Sequence, residues 1–303
     1  LPALQFVRLN VSQGLASFYG HNRIDYYFTE GFPLLLTTAL PFAFWGIGQE
    51  IFPNAAGHIK GGSSRPAILW ILSWTVLFIS LMLSLISHKE VRFLYPTLPA
   101  LHTLAAKPLA AFWASKSQFS RVVIPFLVLC NIIVALYITL VHQRGVIDVT
   151  DYLRYHHETR IATEGPLSRT SVGILMPCHS TPWRSHLVHS GIDIWALSCE
   201  PPLNIPINAR GDYLDEADQF YADPGLWIAE NMATIKGFQT RKTRTGPRRE
   251  WPDNIVFFEQ LEPVIKKSLG NTRYRECWRT FNSHWHDDWR RKGDVVIWCA
   301  TKP

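Results

Sequence analysis

PAILWILSWTVLFISLMLSLIS, residues Pro66–Ser87, runs for 22 residues without a charge. A helix of that length rises by roughly 1.5 Å per residue and crosses the roughly 30 Å of bilayer hydrocarbon. A helix on a water-soluble domain keeps one polar face. A charge-free run of this length has no such face of charged side chains, which argues against a large helical core. Working outward, Val122–Val141 is equally apolar and is bounded by Arg121 and His142. Gly31–Gly48 is apolar and holds Pro33 and Pro41, which bilayer helices tolerate better than soluble ones. Leu94–Trp113 is interrupted by His102, Lys107 and three prolines. The expectation is four spans, at about 31–50, 66–87, 94–113 and 122–142.

The chain has 303 residues and a formal charge of +6. Residues 143–303 hold most of the charge, Trp and His, so a membrane part (1–150) followed by a water-soluble part (151–303) explains the composition better than one globule. Much of the basic excess sits in Arg241, Lys242, Arg244, Arg248 and Arg249, among Thr, Gly and Pro. Without interleaved aromatics, that run reads as a solvated loop, and no nucleic-acid partner is expected. The segment 238–250 offers little to bury and is expected to be disordered. The first residues, Leu1-Pro2-Ala3-Leu4, hold no initiator Met and no leader pattern, so the chain is expected to start in mid-protein.

Four spans place the connecting loops on alternating sides. Loops 53–65 and 114–121 carry Lys60, Arg65, Lys116 and Arg121 and no acid, whereas 17–30 and 88–93 mix signs. The positive-inside rule then puts the first pair in the cytosol, and 17–30, 88–93 and the whole soluble part on the other face. Cysteine usage agrees. Cys178, Cys199, Cys277 and Cys299 lie in the soluble part, an even number suited to two disulfides in an oxidising compartment, while Cys130 sits in a span as a packing residue. Asn10-Val11-Ser12 is a glycosylation sequon.

In the soluble part, Ser171–Pro177, Ile192–Ser198, Asn254–Phe258, Tyr274–Phe281 and Asp294–Cys299 read as short strands rich in Val, Ile and aromatics. Leu214–Tyr221, Gly225–Met232 and Glu259–Ser268 have helical spacing of apolar residues. The alternation predicts a small α/β domain.

Between two spans stands His88-Lys89-Glu90-Val91-Arg92-Phe93. Ionisable groups at a membrane boundary are costly unless paired or used. The plain alternative is an interfacial anchor whose Lys89 and Arg92 reach toward headgroups. HKEVRFLYP resembles the HKExRF signature of glycosyltransferase family 22, the dolichyl-phosphate-mannose-dependent mannosyltransferases. Ser17-Phe18-Tyr19-Gly20 with Tyr26-Tyr27-Phe28 and Glu30-Gly31-Phe32-Pro33, and Leu175-Met176-Pro177-Cys178-His179-Ser180-Thr181-Pro182-Trp183, resemble the branch of that family that assembles glycosylphosphatidylinositol (GPI) anchors. Asp215-Glu216-Ala217-Asp218, Phe220-Tyr221 and Trp251-Pro252 add to the likeness, which runs from about residue 15 to 260.

The resemblance implies a multi-pass α-helical membrane protein of GT-C type in the endoplasmic reticulum, with the C-terminal α/β domain in the lumen. It implies transfer of mannose from dolichyl phosphate mannose to a GPI precursor glycolipid, adding a third, α-1,2-linked mannose, with no metal and no cofactor. His88, Lys89 and Arg92 are then expected to hold the departing phosphate. Tyr19, Tyr26, Tyr27, His179, Ser180 and Thr181 are expected to face the acceptor glycan. The proton-accepting carboxylate is expected upstream of this chain, with Glu90 the local candidate beside Asp25 and Glu30. His186, His189, His284, His286, Asp287 and Asp288 are too scattered in sequence for a metal set. Rival readings are an N-glycan α-1,2-mannosyltransferase of the same family and a non-catalytic glycolipid-binding membrane subunit.

Overall fold

The computed structural model describes residues 4–5, 8–9, 15–52, 67–115, 117–203, 205–206, 209–210, 212–238 and 248–301. The Asn10 sequon, the basic loop 53–65, Lys116 and residues 239–247 lie outside the described residues. The chain forms two compact units, Leu1–Ala135 and Leu136–Pro303.

The first unit is helical. A π-turn at Tyr27–Gly31 leads into α1 (Phe32–Leu36), a 3-10 turn (Thr37–Ala39) and α2 (Leu40–Ile51). Then come α3 (Ala67–Ser84), a 3-10 segment (Val91–Thr97), α4 (Leu98–Ala114) and α5 (Gln118–Leu140). Pro33, Pro41 and Pro99 each stand in the first turn of a helix, where the missing N–H has no intrahelical partner to lose. The buried hydroxyls of α3 are satisfied within the helix, Ser80 donating to the Val76 carbonyl at 2.7 Å and Ser84 to that of Ser80 at 2.8 Å. Tyr27, Phe32, Ala43, Ile47, Val76, Leu94, Leu101 and Leu104 form the core. Many other large apolar side chains, Trp70, Phe78, Leu81, Phe126 and Ile133 among them, face outward.

Among the described residues, three helical stretches are long and apolar enough to cross a membrane: Tyr27–Ile51, Ala67–Ser84 and Gln118–Glu164. The last is broken near Gln143, whose φ is +53°, and its apolar part is α5. The fourth expected span is not among them: it opens as a 3-10 segment through Pro96 and continues as the 17 residues of α4.

The second unit is a five-stranded sheet in the order β2-β1-β3-β5-β4, built from β1 (Thr170–Ile174), β2 (Ile192–Ala196), β3 (Asn254–Phe258), β4 (Tyr274–Thr280) and β5 (Val295–Ala300). β2, β1 and β3 run parallel, and β5 is antiparallel to both β3 and β4. One face is covered by α6 (Gly145–Glu164), through Val146, Val149 and Leu153 against Val172, Val256, Phe258 and Ile297. The other face packs on α8 (Glu216–Ala222), α9 (Pro224–Asn231) and α10 (Glu262–Leu269), through Phe220, Trp227, Ile228, Ile265 and Leu269 against Ile255, Phe257, Val296 and Trp298. Cover on both sides leaves every residue of β3 buried, the pattern of an interior strand. A four-residue turn, α7 (Trp183–His186), lies between β1 and β2.

The strands fall within a few residues of where β-branched and aromatic runs predict them. α6 does not: no helix is expected there, and residue 150, where the sequence suggests a division, lies inside it. Disulfides join Cys178 to Cys199 and Cys277 to Cys299, and Cys130 is free. Cys277 is the extra residue of a bulge between Glu276 and Trp278, which re-aims it toward β5. The expected solvated, disordered run also needs correcting at its end. Arg249 pairs with Glu216 at 2.7 Å and lies over the indoles of Trp195 and Trp227, because its planar cation stacks where a Lys would not.

Candidate active site

In the first unit, α3 ends at Ser84 and the chain turns through Leu85–Ser87 into His88. The turn is pinned to the segment before Tyr26. Asn22 N–H donates to the Ser87 carbonyl at 2.9 Å, and Lys89 N–H donates to Asn22 Oδ1 at 2.8 Å. Lys89 is 4% exposed and its ammonium is aimed inward, donating to the carbonyls of Ile86 (2.7 Å) and Asn22 (3.2 Å). The motif therefore divides by function. Lys89 ties the turn together, contrary to the expectation that it shares a surface with His88 and Arg92, because the Ile86 and Asn22 carbonyls draw its ammonium inward while the extended backbone at Glu90 sends the neighbouring side chain to the other side.

His88 and Arg92 converge on Glu90. Glu90 Oε1 is 2.9 Å from His88 Nε2 and accepts from Arg92 Nη2 at 2.7 Å. Burial alone would raise the Glu90 carboxyl, but the hydrogen bonds from His88 and Arg92 outweigh it and hold the group below the usual carboxylate range. Two cationic or protonatable groups are thus fixed side by side on one carboxylate. The Tyr19 ring stands 5.9 Å from that of His88 and is 51% exposed, and Phe93 closes the other side at 6.2 Å. Gly20 carries φ +119°, so the chain turns beneath His88 in a conformation that L side chains rarely adopt.

The other expected residues distribute unevenly. Tyr26 is half-buried and packs edge-on against Tyr27. Tyr27 is 0% exposed and offers no face to a sugar, because it follows Tyr26 by one position on a helical turn and points into the core. Asp25 is engaged by Arg23, and Glu30 is exposed. Asn22, which anchors the motif, carries no sequence signal beyond its place two residues after Gly20.

In the second unit, His179, Ser180 and Thr181 lie together on the wall of a cleft of about 540 Å³ at the carboxyl ends of parallel strands β1 and β2. That is where ligands meet open α/β sheets. The Cys178–Cys199 disulfide bridges the two loops that line it. His179 is exposed at φ +59°, and Ser180 Oγ donates to the Pro177 carbonyl at 2.6 Å. Trp183, with the Arg184 guanidinium 4.8 Å above its ring, adds an aromatic face to the same cleft. Among the described residues no three His, Cys, Asp or Glu side chains gather as a metal set. His189 bonds Glu158, His186 bonds the Pro182 carbonyl and His284 bonds Tyr137.

In the first unit, then, an apolar helix leads into a turn at which one carboxylate holds an imidazole and a guanidinium. The chain belongs to the Alg9-like mannosyltransferase family, whose model matches residues 1–188. It is similar to the protein named GPI mannosyltransferase 3 of Emericella nidulans, 45% identical over 98% of this chain and 49% of that protein. The protein of the same name from Aspergillus fumigatus is 44% identical over 98% of this chain and 43% of its own length. The mouse protein named GPI alpha-1,2-mannosyltransferase 3 is 34% identical over 98% and 47%. The chain spans about half the length of the curated relatives it matches. No solved structure matches it.

Proposed function

We propose that the protein carrying this chain transfers mannose from dolichyl phosphate mannose to a GPI precursor glycolipid, forming the third, α-1,2-linked mannose. The reading sets it in the endoplasmic reticulum membrane, with α4 as a fourth span, and with residues 88–93 and the second unit on the lumenal side. The observation that carries it is the Glu90 carboxylate holding His88 and Arg92 at the mouth of a membrane helix. In the reaction the acceptor hydroxyl attacks the anomeric carbon, the bond from that carbon to the phosphate oxygen breaks, and the hydroxyl proton passes to a carboxylate. His88 and Arg92 offset the charge that builds on the departing phosphate.

Glu90 is a poor choice for the proton acceptor, since its oxygens are occupied and its basicity is reduced; it orients the imidazole and the guanidinium instead. Lys89 supports the turn from inside. His179, Ser180 and Thr181 supply hydroxyl and imidazole groups for the acceptor glycan, with Tyr19 as the sugar-stacking ring on the first unit. The names of the relatives favour the GPI branch over N-glycan assembly.

The test is restoration of GPI assembly in cells that stop at two mannoses. The whole protein restores a three-mannose precursor, and Arg92→Ala and His88→Ala leave the two-mannose lipid. Full restoration by both variants removes the phosphate role. A defect confined to lipid-linked N-glycans assigns the protein to the other branch.

A further inference from the structure

The last turns of α5 carry a clip from the second unit. Tyr137 Oη lies 2.7 Å from His284 Nδ1, and the Tyr137 ring stacks on Trp285 with centroids 4.9 Å apart and planes inclined by 19°. His142 stacks on Trp285 at 5.5 Å, and Ser283 Oγ lies 2.7 Å from His142 Nδ1. Phe281 packs on His284 at 4.7 Å. The loop is set firmly from below, with Asn282 2% and Ser283 6% exposed. Even so, its rings stand out: Phe281 is 45% and Trp285 58% exposed. Beside them on the helix, Leu136, Ile138 and Leu140 are 52%, 53% and 62% exposed.

Exposed large aromatics clipped to the end of an apolar helix match the chemistry of the membrane–water boundary. There an indole or phenol buries its ring beside acyl chains and keeps its polar edge wet. α5 spans 23 residues, about 35 Å at roughly 1.5 Å per residue, so its last turns reach headgroup depth if the helix crosses a bilayer. We infer that Phe281–Trp285 is an interfacial anchor that seats the second unit on the lipid surface around the end of α5. The inference rests on the proposed reading of α5 as a membrane span. Its partner is the lipid surface itself, because the exposed rings are held on Tyr137 and His142 at the very end of that apolar span.

A photoreactive phenylalanine analogue placed singly at 285, 133 and 167 of the whole protein, in native membranes, separates the two ideas. Ile133 lies mid-way along α5 and is 57% exposed; Leu167, beyond the far end of α6, is 93% exposed. On irradiation, positions 133 and 285 give lipid adducts, with the yield at 285 several-fold above that at 167. Lipid adducts at 133 with only protein adducts, or none above position 167, at 285 overturn the anchor and leave the span intact. Loss of lipid adducts at 133 overturns the span and the anchor together.

Discussion

The backbone of Gly46 passes so close to that of Leu104 that a Cβ on Gly46 would stand 2.0 Å from the Leu104 carbonyl oxygen. α2 and α4 meet there backbone to backbone, as helices do where a small residue removes the side chain between them. The obstacle is main chain, which cannot rotate aside. Gly46→Ala is therefore expected to cost about 1–3 kcal/mol or more by overpacking. Gly48, two residues on, has open space around the equivalent position. Gly48→Ala is expected to be neutral or to stabilise by up to about 1 kcal/mol through helix propensity. Thermal unfolding of the detergent-solubilised whole protein compares the two, and equal midpoints would contradict the close contact.

Glu90→Gln keeps the shape of the side chain but removes the charge that gathers His88 and Arg92. Transfer is expected to fall by about 10- to 100-fold, the loss of roughly 1.4–2.7 kcal/mol of transition-state stabilisation. Initial rates in microsomes measure it, and a fall beyond about 10³-fold would instead make Glu90 the proton acceptor. Because the folded carboxyl sits below its usual range, its charge persists as the pH falls through that range. The wild-type rate is accordingly expected to show no break from Glu90 between pH 7 and about pH 5.

Arg279 is surrounded by acids, lying 2.9 Å from Glu262, 2.8 Å from Glu276 and 3.3 Å from Glu259. The Lys266 hydrogen bond, and after it that of Arg279, lowers Glu262; the Arg279 hydrogen bond lowers Glu276. A carboxylate lowered on folding contributes stability above its unfolded pKa, about 4.3 for Glu, and loses it as the pH falls through the folded value. Arg279→Met is expected to destabilise by about 1–3 kcal/mol at pH 7, partial exposure keeping the figure at the low end. The gap between wild type and variant closes below about pH 4. Unfolding midpoints across that range check the sign; a gap that widens on acidification refutes the assignment.

Replacing Cys178 and Cys199 together by Ser opens a loop of 21 residues at the mouth of the cleft. Loop-closure entropy puts the loss of stability at about 3 kcal/mol. The cleft loops after β1 and β2 are freed as well, so the Michaelis constant for the acceptor is expected to rise while that for the donor stays put. A rise in both alike would detach the cleft from acceptor binding.

How much of this the sequence discloses depends on the physics of each element. The charge-free run at 66–87 and the Val, Ile and aromatic runs of β1 to β5 announce themselves, since burial on one or both sides dictates composition. α6 stays hidden because its inward residues, Val146, Val149, Leu153 and His157, are spread among charges and a neutral average masks a one-sided helix. In the site, residue types at 88–92 are readable, but direction is not: that Lys89 turns in while Arg92 turns out depends on Asn22, 67 residues away. The place of Tyr27 is of the same kind, because two adjacent tyrosines look alike until a helical turn points them apart.

Each cystine joins a cysteine to the next one along the chain, 178 to 199 and 277 to 299. A polypeptide delivered N-terminus first into an oxidising compartment therefore presents Cys178 with Cys199 before either thiol of the second pair has emerged. Once that bond has closed, Cys277 and Cys299 are left to each other, so the first cystine can form before β3, β4 and β5 are made and its closure sets the connectivity of the second.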